Sequence, residues 1–202
     1  MKVKIALVCL ISLLAVPLLG CQLFDMVGSF TSPAALTREQ AIVVVQVSGL
    51  PRIDEYYQEL ALPYLGKERA DLQYPMQSFI DAGVVMASAS DFPVTIPFDP
   101  FIAIQIGMTR SGVDGESNEL LWPEERVGLE DMIQSFTYNG AYANFLEDET
   151  GSIGVGKQAD IIVLDQNLFE IPVSEIAETK VLLTLVDGKE VYRASAFSGV
   201  TQ

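Results

Sequence analysis

Residues 83–94, GVVMASASDFPV, are the stretch that decides the fold, because a helix end, an apolar strand and an acidic residue follow one another within it. Gly83 closes a segment whose apolar residues repeat at helical spacing, and glycine is common just past a helix end. The following VVMASAS is predicted to be a short buried strand. Asp91 then stands at the carboxyl end of that strand.

A second strand is predicted upstream, at residues 41–47. Its sequence AIVVVQV is a continuous apolar and β-branched run, which is typical of a strand buried on both faces in a parallel sheet. Residues 54–82 between the two strands have helical character, and this crossover is long enough to return the chain in parallel. The sequence therefore predicts an α/β fold.

Asp91 has two interpretations at this stage. In parallel α/β barrels, the loops at the carboxyl ends of the strands carry the active site, so the position of Asp91 makes it a candidate catalytic carboxylate. Aspartate before a proline is also an ordinary turn residue, and Pro93 follows closely. Position alone leaves both interpretations open.

The remainder of the chain changes from helices to strands. Residues 101–110 and 128–148 are predicted to be helices, the second with a bend or break at Asn139 and Gly140. The last third contains three strand patterns, ADIIVLD, VLLTLVD and EVYRA, of which the last two are joined at Asp187-Gly188. Asp-Gly between two β-rich runs is a strong hairpin signal, so a small antiparallel β unit is expected.

The first twenty residues differ from the rest. A short basic start precedes an apolar stretch of about fifteen residues that ends in Leu-Leu-Gly-Cys, and the segment resembles a bacterial lipoprotein signal peptide. The resemblance implies that Cys21 becomes the lipid-carrying first residue of the mature chain, held at the cell envelope by a tether over 21–40. The alternative is an uncleaved membrane helix, although the apolar run is short for a membrane span.

The composition excludes several classes of function. A net charge of −15, from 27 acidic and 12 basic residues, opposes binding to nucleic acid or to anionic lipid headgroups. The chain has no histidine, which excludes the usual serine triad within it. Once the leader is cleaved, Cys21 is the only cysteine left, so neither a disulfide nor a cysteine metal site can form.

A family resemblance covers residues 42–193. The segment GSIGVGKQADIIVLD (151–165) is the most specific match to the carboxy-terminal part of the amidohydrolase superfamily, in the family 3 branch that includes N-acyl amino acid and formamide hydrolases. Four further stretches agree in order: EYYQELALPYLGKERADLQYPMQS, FIDAGVVMASASDFPV, FTYNGAYA and TKVLLTLVDGKEVY. The resemblance implies the carboxy-terminal fragment of a TIM-like (β/α)8 barrel over 41–150, half of a composite β-sandwich over 151–193, and a tail over 194–202.

The resemblance also implies a role for Asp91. In the family, the aspartate after the last barrel strand binds a divalent metal, often zinc, or takes a proton from the metal-bound water that attacks the substrate carbonyl. Ala89 departs from the glycine usual in the family. A larger departure is the absence of the histidine ligands, because a catalytic zinc site needs about three protein ligands. Asp91 could therefore serve as a metal ligand only together with ligands from another chain.

Two classes of function follow from these observations. The first is the carboxy-terminal part of a metal-dependent hydrolase of carbon–nitrogen bonds other than peptide bonds, inactive alone and completed by a complementary amino-terminal chain. Self-association through open barrel and sheet edges is the other partnership expected, since unpaired strand edges promote association. The second class is a lipid-anchored, non-catalytic structural or binding module.

In either class, the resemblance places Lys157 in a turn before a strand, where it has a structural role.

Overall fold

The parallel strand pair predicted from the sequence is present in the computed structural model of this protein, which describes residues 5–6, 42–46, 57–71, 73–90, 92, 98–113 and 122–197. The strands are β1 (Ile5–Ala6), β2 (Ile42–Gln46), β3 (Val85–Ala89), β4 (Ile161–Leu164), β5 (Val181–Val186) and β6 (Lys189–Arg193). The helices are α1 (Leu62–Leu65), α2 (Lys67–Ala70), α3 (Met76–Asp81), α4 (Pro100–Thr109), α5 (Leu129–Phe136) and α6 (Tyr138–Ala143). A π-helical turn (Tyr57–Ala61) and two 3₁₀ segments (Pro123–Glu125 and Val173–Glu178) complete the elements.

Strands β2 and β3 pair in parallel along their whole length, from Ile42 opposite Val85 to Gln46 opposite Ala89. Helices α1 to α3 form the crossover between them, as a parallel connection requires. The predicted α/β character is therefore confirmed. Gly83 adopts a positive φ of 75° just after α3, which explains why a glycine closes that helix.

Helix α4 begins and ends at residues whose chemistry suits a helix terminus. The carboxylate Oδ1 of Asp99 accepts a hydrogen bond from the Phe101 amide at 2.8 Å, and Pro100 occupies the first turn. The helix is apolar on most of its surface, with Phe101, Ile104 and Ile106 buried. A helix of this kind belongs in a protein interior, and α4 packs against both α5 and the 3₁₀ segment Val173–Glu178.

Helices α5 and α6 are separated at Thr137, two residues before the break that the sequence suggested at Asn139 and Gly140. Thr137 has φ −124° and ψ −94°, and its hydroxyl donates a hydrogen bond to the Ile133 carbonyl at 2.8 Å. Such a side-chain bond competes with the helical ladder of the backbone. Asn139 and Gly140 themselves lie within α6.

The final third forms the antiparallel unit expected from the sequence. In the described part of the chain the sheet order is β1-β4-β5-β6, and Asp187 and Gly188 make the β5–β6 turn with φ of 50° and 72°. The Asp-Gly hairpin prediction is therefore confirmed. Strand β1, which lies within the predicted leader, pairs antiparallel with Ile162 and Val163 at the edge of this sheet.

One apolar core joins the helices to the antiparallel sheet. Ile162 and Leu164 of β4 share a cluster with Ile104 of α4 and Ile176 of the 3₁₀ segment. Close approach is possible at Gly107 of α4, where an added Cβ would lie 2.5 Å from the Met132 sulfur. The sheet is thus fastened to the helical layer. No helix in the described ranges is long and apolar enough to cross a membrane.

Candidate active-site strand and the adjoining clasp

Strand β3 is the element that leads to the predicted catalytic carboxylate. Met86, Ala87 and Ser88 in the middle of the strand are buried. Asp91 lies outside the described residues, so its catalytic or metal-binding role stays a prediction. Cys21, the predicted lipidation site, also lies outside them.

Polar contacts fix β3 against α5 and α6. The Asn139 side-chain amide donates a hydrogen bond to the Met86 carbonyl at 2.8 Å. The buried hydroxyls of Ser135 in α5 and Ser88 in β3 lie 2.8 Å apart. The Ser135 hydroxyl also donates a hydrogen bond to the Met132 carbonyl at 2.7 Å. Buried polar groups with satisfied partners specify one arrangement better than apolar contacts alone. These contacts therefore set the register of the strand that precedes Asp91.

Two aromatic residues that follow position 91 in the sequence, Phe92 and Phe98, have exposed side chains. Phe92 is 62% exposed and Phe98 is 59% exposed, and their rings meet edge to face with centroids 5.0 Å apart. Aromatic pairs favour this geometry. The strand end is therefore bordered by an apolar surface.

The described residues do not fit a metal ion. No group of three or more His, Cys, Asp or Glu side chains lies close enough together among them to hold one. The whole sequence contains no histidine. A metal at the end of β3 would therefore need ligands that the described ranges do not supply.

The segment 151–165 and its neighbours form a group of hydrogen-bonded residues that we call the clasp. It consists of Thr150, Ser152, Lys157 and Asp160, together with the turn at Asp187. The Lys157 ammonium donates to the Glu147 carbonyl and to the Ser152 hydroxyl, the latter at 2.7 Å. Its predicted structural role agrees with these contacts, because the amine is engaged within its own loop and lies 5.8 Å from the centre of the Tyr138 ring.

Asp160 connects the clasp to the antiparallel sheet. Its Oδ2 accepts a hydrogen bond from the Thr150 hydroxyl at 2.7 Å, and its Oδ1 accepts one from the Asp187 amide at 2.8 Å. The Gly188 amide also donates to the Ala159 carbonyl at 3.1 Å. The most specific motif in the sequence thus joins the helical layer to the antiparallel sheet.

Arg110 is a buried cation that sequence reasoning missed. Its side chain is fully buried beside Met76, whose sulfur lies 3.4 Å from Nη1. Burial lowers the pKa of Arg110 to about 10, and the negative charges of Glu125 and Glu124 oppose this effect. Arginine after an apolar helix resembles an ordinary helix-terminal cation, so the sequence gives no sign of its burial.

A cavity of about 410 Å³ is lined by residues of α5 and α6 and of the segments 151–153 and 167–169. Ile133, Tyr138, Ile153 and Phe169 supply much of its apolar lining, and no residue of β3 reaches it. Ile153 and Phe169 are largely exposed at its rim. The cavity is therefore separate from the strand that leads to Asp91.

Comparisons with known proteins agree with this architecture. A sequence profile described as the amidohydrolase family matches residues 32–192. An N-substituted formamide deformylase from Arthrobacter pascens is 34% identical over 115 residues, covering 57% of this chain and 20% of that protein. An imidazolonepropionase from Bdellovibrio bacteriovorus is 31% identical over 119 residues, covering 58% of this chain and 25% of that protein.

A solved structure shows the same fold at lower identity. The crystal structure of a zinc-bound adenosine deaminase from Xanthomonas campestris matches 79% of this chain and 35% of its own with a TM-score of 0.50 and 19% sequence identity. The chain therefore spans about a fifth to a quarter of the length of the two relatives named above.

Proposed function

Because the chain belongs to the amidohydrolase family, we propose that it forms the carboxy-terminal part of a metal-dependent hydrolase that acts on carbon–nitrogen bonds other than peptide bonds. The observation that carries this proposal is the family match over residues 32–192, which includes both parallel strands and the helices packed on them. The deformylase relative supports the bond type through its own name, which specifies N-substituted formamides.

Asp91 is the residue to which we assign the chemistry. A carboxylate at a strand end can take a proton from water as the water oxygen attacks the substrate carbonyl. The carbon–nitrogen bond then breaks, and the proton passes to the departing nitrogen. Asn139 and Ser135 hold β3 at Met86 and Ser88, which are five and three residues before Asp91.

The completed enzyme is proposed to use a divalent metal. The adenosine deaminase neighbour carries zinc, which supports this choice. Because the described residues hold no metal-binding cluster and the chain has no histidine, we assign the metal ligands other than Asp91 to another chain. We therefore expect no hydrolysis by the chain alone.

The location proposed for the protein is the bacterial cell envelope. Lipid attached to Cys21 would hold the folded part at a membrane surface through the tether 21–40. The acidic composition then acts against further adsorption to anionic headgroups, so the lipid would supply the attachment.

A second candidate function is a lipid-anchored structural or binding module that has lost the chemistry. The observation that favours it is the absence of every histidine from the 202-residue sequence, although residues 32–192 match the amidohydrolase family. The clasp, the core and the strand register all stabilise the fold without requiring a metal.

Co-expression with a complementary amino-terminal portion distinguishes the two functions. The complement is the remainder of the Arthrobacter deformylase, and the assay is zinc-dependent hydrolysis of an N-substituted formamide. Wild type should be active in the complex, and Asp91→Asn should lower kcat by about 10²-fold or more. The exposed Asp148→Asn serves as the control and should leave activity unchanged.

Each outcome of this experiment supports one function. Activity that persists in Asp91→Asn removes Asp91 from the mechanism. A complex that forms and holds zinc but hydrolyses nothing favours the non-catalytic module.

A further inference from the structure

The cavity of about 410 Å³ is built along one face of helix α5. Four of its lining residues are Glu130, Ile133, Gln134 and Thr137, which recur at the three- and four-residue spacing that places side chains on one face of a helix. Because a helix rises about 1.5 Å per residue, this face is about 10 Å long. The cavity therefore has room for a molecule that contacts two turns of α5.

Two further segments, 151–153 and 167–169, also line the cavity. Gly151 has a φ of 80°, and a Cβ there would lie 2.5 Å from a side chain of α6, so glycine allows the first segment to lie against that helix. In the second segment, Oδ1 of Asn167 accepts a hydrogen bond from the Phe169 amide at 3.2 Å, as in a turn. Both segments thus have a defined backbone course, and the cavity is part of the fold.

The cavity combines buried residues with an exposed apolar rim. Thr137 and Leu168 are buried, whereas Ile153 and Phe169 are 67% and 61% exposed. Pockets for small molecules are usually apolar clefts of about 300–1,000 Å³, and this cavity falls within that range. An aliphatic or aromatic group that enters it from water buries apolar surface, which is favourable. The size and the lining therefore suit a small apolar molecule.

The charges at the two ends of the cavity select the end group of that molecule. Among the described residues that line it, Glu130 is the only carboxylate, and none is a lysine or an arginine. Glu130 lies in the first turn of α5, whereas Tyr138 follows the other end of the helix and has the Lys157 ammonium 5.8 Å from its ring centre. A net charge of −15 also favours a cation over an anion. A cationic end group would therefore lie at Glu130, with its apolar part toward Phe169.

We propose that this cavity binds a small apolar amine, whose ammonium group pairs with the Glu130 carboxylate. The aliphatic or aromatic part of the amine packs against Ile133, Tyr138 and Phe169. This inference goes beyond the proposed function, because the cavity is separate from β3 and needs neither Asp91 nor a metal. The ion pair and the apolar contact act on different parts of the ligand, so each can be tested separately.

The test measures binding to the full chain by calorimetry at low ionic strength. The probes are phenethylamine, the neutral phenethyl alcohol and the anionic hydrocinnamate, which share one aromatic part and differ in charge. Phenethylamine should bind about fivefold more tightly than phenethyl alcohol, because it alone can pair with a carboxylate near the protein surface. Hydrocinnamate should bind most weakly, since its charge repels Glu130.

Glu130→Gln should remove the preference for phenethylamine and leave the affinity for phenethyl alcohol unchanged, because it deletes only the charge. Asp131→Asn is the matched control, since it makes the same change of net charge in the same first turn of α5. Asp131 is exposed and is not among the described residues that line the cavity, so this variant should keep the preference.

A second variant tests the apolar part of the site. Phe169→Ala should weaken the binding of phenethylamine and of phenethyl alcohol by a similar factor, because both lose the same aromatic contact. Tyr64→Ala is its control, because Tyr64 is 81% exposed on α1 and does not line the cavity. Circular dichroism reports folding for every variant.

The outcomes separate this proposal from its alternatives. Failure of wild type to bind phenethylamine overturns the proposal, as does a preference that Glu130→Gln retains or that Asp131→Asn loses equally. Tighter binding of phenethyl alcohol or hydrocinnamate would assign the cavity to a neutral or anionic ligand and also overturn it. Asp91→Asn should bind phenethylamine like wild type, so the amine site and the hydrolase function succeed or fail separately.

Discussion

The Thr150 hydroxyl donates a hydrogen bond to the Asp160 carboxylate at 2.7 Å, and this contact joins the end of the helical layer to the antiparallel sheet. The other carboxylate oxygen accepts from the Asp187 amide at 2.8 Å, so one side chain holds both the loop and the β5–β6 turn. A partly buried carboxylate with two donors is a stronger tie than neutral hydrogen bonds between the same elements.

Asp160→Ala should therefore destabilise the fold by about 2–4 kcal/mol, because two charge-assisted hydrogen bonds are lost together. Chemical denaturation with urea measures the change. Asp148→Asn, at an exposed position of the neighbouring turn, should change the unfolding free energy by less than about 0.5 kcal/mol. Equal effects at the two positions would contradict the assignment of Asp160 as the connecting residue.

Gly151 and Gly156 provide a matched pair within the same loop. Both have positive φ, 80° and 90°, but a Cβ on Gly151 would lie 2.5 Å from the Ala141 Cβ, whereas a Cβ on Gly156 would meet nothing within 4 Å. Gly156→Ala should cost about 1 kcal/mol through backbone strain alone. Gly151→Ala should cost about 2 kcal/mol more than that, since it adds overpacking. Thermal unfolding of both variants checks the order.

The pH dependence of stability should show the contact between Asp71, Lys67 and Tyr57. Hydrogen bonds from Lys67 and Tyr57 lower the pKa of the Asp71 carboxyl below its ordinary 3.8. When folding lowers the pKa of a carboxyl, that carboxyl stabilises the folded state at pH values above its unfolded pKa. This contribution disappears as the pH falls through the lowered pKa. The difference in Tm between wild type and Asp71→Asn should thus be present at pH 6 and lost near pH 2.

The variant Lys67→Met tests the cause of the lowered Asp71 pKa. Lys67→Met removes the first cause of the lowered pKa, so the Asp71 carboxyl should titrate closer to 3.8 in this variant, as followed by NMR. The effect on stability should be small because the pair lies at the surface. An unchanged titration curve in Lys67→Met would show that the ion pair does not persist in solution.

Cys21 is expected to attach the protein to membranes. Cys21→Ser should move the protein from the membrane fraction to the soluble or signal-uncleaved fraction, since serine cannot accept the lipid. Labelling with radioactive palmitate and cell fractionation measure the change. Cys9→Ser, inside the predicted leader, is the control and should remain lipidated and membrane-bound. Lipidation that survives Cys21→Ser would contradict the lipoprotein interpretation.

Local sequence patterns predicted the strands, helix ends and turns, because these elements depend on residues that are close together in the chain. The apolar run of β3, the glycine that closes α3 and the Asp-Gly turn at 187–188 were all predictable, because strand burial and positive φ leave a direct imprint on residue type. The break between α5 and α6 lies at Thr137, two residues before the Asn139-Gly140 pair that favours it in the sequence, and the Thr137 hydroxyl bonds the Ile133 carbonyl there.

Contacts between distant segments were decided by the tertiary structure. Asn139 forms a hydrogen bond with the Met86 carbonyl, 53 residues away, and Gln105 forms one with the Ala177 amide, 72 residues away. No local sequence pattern predicts either partner. The sequence by itself determined the family, the strands and the position of Asp91 along the chain. Only the folded structure decided that Lys157 and Asp160 form a clasp and that Arg110 is buried, because these roles depend on which segments meet in space.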